Sequence, residues 1–156
     1  MMKKSFFAIL AWLCVSLGLI PGALAQNLVE KYLTGADIEQ VSGMKGIRLV
    51  PRGSVAGAGG DLNFVDSSGE LILMGQFTDA RSYAGFKAKY AKGAVAGVGD
   101  EAVLGAVMPG MTDNLLAFKK GTHCIVLTSF ADFVRQKVYL TADQLTALGK
   151  LVASRL

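Results

Sequence analysis

The sequence predicts an α+β protein, a mainly antiparallel sheet of about six strands packed with helices. Three observations carry this. Short apolar stretches recur between clusters of turn residues, as strands do. Stretches beginning at Thr34 and Thr141 combine capping-box spacing with helical apolar periodicity. The order strand, hairpin, helix reads twice, giving two similar halves behind an extra first helix. The halves share order rather than sequence.

Residues 1–25 stand apart from this pattern. Lys3 and Lys4 precede an apolar run from Ser5 to Ile20, Pro21 and Gly22 break it, and Ala23-Leu24-Ala25 has the small-x-small form of a signal-peptidase site. The run is about 16 residues, short of the roughly 20 that span a bilayer. The expectation is a signal peptide over 1–25, cleaved between Ala25 and Gln26, and a single domain over 26–156 that is periplasmic or secreted, with no stable transmembrane segment after cleavage. Cys14 lies inside the apolar run behind bulky Trp12 and Leu13, which reads as leader hydrophobe rather than a lipidation site. Removing the leader's two lysines leaves 14 basic and 12 acidic side chains, net +2. That is too little charge to argue for nucleic acid.

Along the remaining chain, Leu28–Gly43 reads as helix, with Thr34 and Asp37 in capping-box register and Gly43 as its stop. Met44–Pro51 reads as a strand, and Gly53–Gly60 as a flexible loop without the Gly-Lys-Ser/Thr ending of a phosphate cradle. Leu62–Val65 and Glu70–Phe77 form a hairpin around Asp66-Ser67-Ser68-Gly69. In its second strand Leu71, Leu73 and Phe77 share one face, and Ile72 and Met74 the other. Asp79–Ala91 is helical, capped by Asp79, with Tyr83, Phe86 and Tyr90 on its core side and Lys87, Lys89 and Lys92 in solvent.

The second half follows suit. Glu101–Val107 is a strand, and Asn114–Lys119 and Thr122–Ser129 form a hairpin around Lys120-Gly121. Phe130–Gln136 is ambiguous, and Val138–Leu140 is a short strand. Thr141–Arg155 is a helix with Gln144 completing the capping box and Leu145, Leu148, Leu151 and Val152 facing the core.

Few residue types remain for chemistry. Beyond the leader the chain has one cysteine, Cys124, and one histidine, His123, too few for a Cys/His metal site or an internal disulfide. The two are neighbours on a strand, so their side chains point to opposite faces and cannot act as a thiol–imidazole pair. Cys124, within Ile125-Val126-Leu127, reads as buried; the alternative is an intermolecular disulfide. There is no Gly-x-Ser-x-Gly elbow. Gly97-Val98-Gly99-Asp100-Glu101-Ala102 has the letters of a dinucleotide fingerprint, yet a strand follows where a helix is required, so it reads as a tight turn. Neither catalytic residues nor a cofactor or metal site are expected. Lys45, Arg48 and Arg52 form a basic rim beside the Gly-rich loop, a candidate surface for an anionic ligand or acidic partner.

The stretches Leu33-Thr34-Gly35-Ala36-Asp37-Ile38-Glu39, Gly97-Val98-Gly99-Asp100-Glu101-Ala102 and Lys119-Lys120-Gly121 resemble those of small exported bacterial domains of uncharacterised function. Many of those domains are envelope-associated, and some resemble the PsbP-like α/β/α architecture. The resemblance supplies no functional residues. The functional expectation is an exported, non-catalytic binding or accessory protein with a protein or envelope component as partner. The alternatives are a carrier or sensor for a small ligand held near Tyr83, Phe86 and Tyr90, and a hydrolase built on carboxylates scattered in sequence.

Overall fold

A computed structural model describes residues 29–132 and 137–156. Ala23, Ala25 and Gln26 therefore lie outside the described residues, as do the last residues of the ambiguous 130–136 stretch. A 3-10 turn, Glu30–Tyr32, precedes α1 (Gly35–Ser42). The helix expected from Leu28 starts later because its own cap interrupts it. Thr34 is extended, its hydroxyl accepts from the Asp37 amide at 3.3 Å, and its amide donates to the Asp37 carboxylate at 2.8 Å. Gly43, at φ +76°, ends α1 by donating to the Glu39 carbonyl.

The strands are β1 (Arg48–Leu49), β2 (Leu62–Val65), β3 (Leu71–Asp79), β4 (Ala91–Val95), β5 (Glu101–Gly105), β6 (Leu115–Lys120) and β7 (His123–Ser129). They form one antiparallel sheet in the order β1-β2-β3-β7-β6-β5-β4. A 3-10 turn, Ala80–Ser82, leads from β3 into α2 (Tyr83–Tyr90). A two-stranded ribbon, β8 (Ala131–Asp132) and β9 (Lys137–Val138), precedes α3 (Ala142–Arg155).

The α+β class holds, with seven strands in the main sheet rather than six. The additional strand is β4. Its residues Ala-Lys-Gly-Ala-Val are nearly all exposed, so this edge strand has no buried face to impose the alternation by which strands are recognised. The expected strand at 44–51 contracts to Arg48–Leu49, between Gly46 at φ +73° and Pro51, which has no amide to donate. The β6–β7 turn lies one residue further on than expected. Lys120 pairs with His123, leaving Gly121 and Thr122 as the turn.

Helices cover both faces of the sheet. On the first face α1 and α3 pack over Phe64, Leu73, Leu116, Phe118, Ile125 and Leu127, contributing Ile38, Leu145, Leu148 and Val152, all essentially inaccessible. Full burial of such side chains contributes roughly 1.5–3 kcal/mol each. A Cβ on Gly149 would meet Leu116 Cδ2 at 2.3 Å, so the missing side chain is what lets α3 lie this close to β6.

The second face carries two smaller clusters. One, under α2, holds Tyr83, Val103, Leu115, Ala117, Cys124 and Val126. The other, beneath the Gly-rich loop, holds Val50, Ala58, Val65 and Leu71. Leu71 belongs there, not with Leu73 as alternation implied. Phe64 pairs with Leu73 but Val65 with Leu71, a bulge that inserts Ile72 and resets the alternation.

Candidate functional site

Buried polar side chains hold the sheet's irregular ends. Asn114 accepts from the Val107 amide at 3.1 Å and donates to the Ser129 carbonyl at 2.9 Å, while the Ser129 hydroxyl accepts from the Leu140 amide at 2.8 Å and so sets the approach to α3. The Gly97–Ala102 stretch is the turn between β4 and β5 up to Asp100, and its last two residues open β5. Gly99 sits at φ +57°, where a Cβ would meet the Lys119 carbonyl at 2.3 Å, and the Asp100 carboxylate accepts from the Gly121 amide at 2.8 Å. These residues clasp two neighbouring hairpins and open no helix. His123 is exposed at the start of β7, opposite Asp79 and Lys120, while Cys124 is buried on the other face as a free thiol, its pKa pushed up by burial.

Lys45, Arg48 and Arg52 are all exposed along the β1 edge. Arg48 stands opposite Val65, beside the cluster under the Gly-rich loop. Arg52 lies at the mouth of that loop, which the Gly53 amide closes on the Ala58 carbonyl at 2.7 Å. Elsewhere cations are matched. Arg81 pairs with Asp79, Lys87 and Lys119 with Glu101, Lys92 with Asp113, Lys120 with Asp100 and Arg155 with Asp37. Lys31 and Lys89 stand over the rings of Tyr32 and Tyr90. Among the residues whose side chains are described, Lys45, Arg48, Arg52 and Lys150 are the cations with neither kind of partner, and three of these four fall within one short segment. Lys87 and Lys92, expected simply in solvent, are exposed yet engaged.

The second face under α2 is the other candidate. In register across four strands, Thr78, Cys124, Lys119 and Glu101 form one row, with the apolar row Val126, Ala117 and Val103 beside it. Glu101 binds the ammonium of Lys87 at 2.5 Å and that of Lys119 at 3.4 Å, and Lys87 above all holds its carboxyl below the usual range. Tyr83 is 4% exposed, and among the described residues its hydroxyl is the one buried side-chain polar atom without a hydrogen bond. Burial first, then the nearby Glu101 and Cys124, push its pKa up to about 12. Phe86 and Tyr90 stack at 6.2 Å and are only partly buried. Sequence periodicity places all three aromatics on the inner side of α2, but the orphaned hydroxyl has no sequence signal.

Among the described residues no group of three or more His, Cys, Asp or Glu side chains could hold a metal ion, and no helix is long and apolar enough to cross a membrane. No protein-family model, curated protein or solved structure matches the chain.

Proposed function

We propose that the protein is an exported, non-catalytic binding module, periplasmic or secreted, that engages an acidic protein or envelope component through Lys45, Arg48 and Arg52. The observation that carries this reading is the concentration of unmatched cations on the β1 edge, whereas nearly all the other described cations are paired. Exposed unpaired cations accelerate and orient encounters with an anionic surface, with an effect that salt screens over roughly 8–10 Å. Helices on both faces of the sheet support the resemblance to exported domains with α/β/α layering. The order β1-β2-β3 beside β7-β6-β5 supports reading the chain as two similar halves, although β4 is extra and α2 and α3 lie on opposite faces.

A photo-crosslinking residue at the exposed Ser54, two residues from Arg52, used in cells, tests the docking edge. The expected result is an adduct with an acidic component that disappears in K45E/R48E/R52E and persists in K150E. The same adduct in the triple variant would remove this edge as the docking surface.

A further inference from the structure

We propose that the second face of the sheet is a binding site for a small amphiphile with an anionic, hydrogen-bond-accepting head, entered by displacement of α2. The strongest indication is the Tyr83 hydroxyl. It is buried without a partner beside Cys124 and Glu101, and a buried donor left unmade is costly unless something takes it up. An acceptor head at this point would receive the Tyr83 proton donor. The Lys119 ammonium, 5.8 Å from the Tyr83 ring centroid, shares the single Glu101 carboxylate with Lys87, so two ammoniums against one carboxylate leave net positive charge nearby. Val103, Leu115, Ala117 and Val126 supply an apolar floor for the ligand's body.

The helix over this floor is lightly held. Of its eight residues only Tyr83 is buried, and the Lys87–Glu101 pair that clasps it to β5 is exposed. Gly85 sits inside the helix with nothing within 4 Å of where a Cβ would stand. Packing therefore does not require a glycine there, while glycine weakens a helix interior relative to alanine. Segments with few buried contacts open at lower free energy than the body of a domain, and ligand-binding lids come from such segments. The 3-10 turn Ala80–Ser82 is the hinge, since α2 runs into β4 at its other end without an intervening loop.

Dodecanoate is the probe, titrated into the full chain with two readouts. These are amide shifts in α2 and β5–β7, and iodoacetamide alkylation at Cys124 measured by peptide mass. The expected result is saturable shifts centred on these elements, with Cys124 protected by bound dodecanoate. Tyr83→Phe, which keeps the ring and removes only the unpartnered hydroxyl, should weaken binding at least tenfold while the fold persists. Gly85→Ala should slow alkylation of free Cys124 by about fivefold, the factor by which a Gly-to-Ala gain in helix stability closes an opening equilibrium. Absence of saturable binding, or equal affinity in Tyr83→Phe, would overturn the site. Unchanged alkylation in Gly85→Ala would overturn the entry route.

Discussion

The guanidinium of Arg155, in the last turn of α3, holds both carboxylate oxygens of Asp37, in the first turn of α1, at 2.6 and 2.8 Å. Asp37 also accepts from the amide and hydroxyl of Thr34, so one carboxylate both caps α1 and anchors the far end of the chain. The Arg155 fork, together with the Thr34 bonds, outweighs burial and lowers the Asp37 pKa from 3.8 to about 2. The contribution is complete above pH 4, where Asp37 would ionise even in the unfolded chain, and is lost as pH falls through 2. Urea unfolding should place Asp37→Asn about 2 kcal/mol below wild type at neutral pH, with the gap closing between pH 4 and pH 2. A gap that persists at pH 2 would show that the charge is not its source.

Gly105 lies where the chain leaving α2 passes over β5. A Cβ there would stand 1.8 Å from the Tyr90 carbonyl oxygen, which is backbone and cannot turn aside. Gly105→Ala should cost about 3 kcal/mol by forcing β4 and β5 apart. Gly85→Ala, with open space around it, should instead raise stability by up to about 1 kcal/mol. Chemical denaturation of the two variants side by side checks the opposite signs.

Asn114→Ala should cost about 1–3 kcal/mol, because it leaves the buried Ser129 carbonyl, and the part-buried Val107 amide, without their side-chain partner. Hydrogen exchange at Val107 reports this directly, and unchanged protection there would mean that another acceptor has replaced the side chain.

K45E/R48E/R52E should unfold in urea within about 1.5 kcal/mol of wild type, since exposed side chains without ion pairs contribute less than about 0.5 kcal/mol each. A large loss of stability would mean that the β1 edge supports the fold itself.

Local chemistry made much of the fold legible. Thr34 with Asp37 and Thr141 with Gln144 mark real caps because each box is completed within four residues. Gly43 stops α1 for an equally local reason. What was illegible depends on distant residues. Ile72 bulges only because of how β2 pairs with β3, so Leu71 could not be assigned its face from alternation. β4 has no buried side to leave a pattern. The periodicity of Tyr83, Phe86 and Tyr90 identifies an inner side for α2 without saying which face of the sheet it covers. Of the candidate sites, the basic edge was visible as three cations in one segment. That they are unmatched could be read only once the acids elsewhere had found their own partners.

The sheet order has a consequence for how the chain acquires its structure. The adjacent strands β3 and β7 come from opposite halves of the sequence, and the Arg155–Asp37 clamp spans 118 residues. Loops this long must close before the contacts at their ends reward the lost entropy, which places the protein among the slower folders, on the millisecond-to-second scale. A nascent chain that has made only β1 to β3 can lay α1 against them, but it lacks β7 along the open edge of β3 and the α3 half of the helical layer.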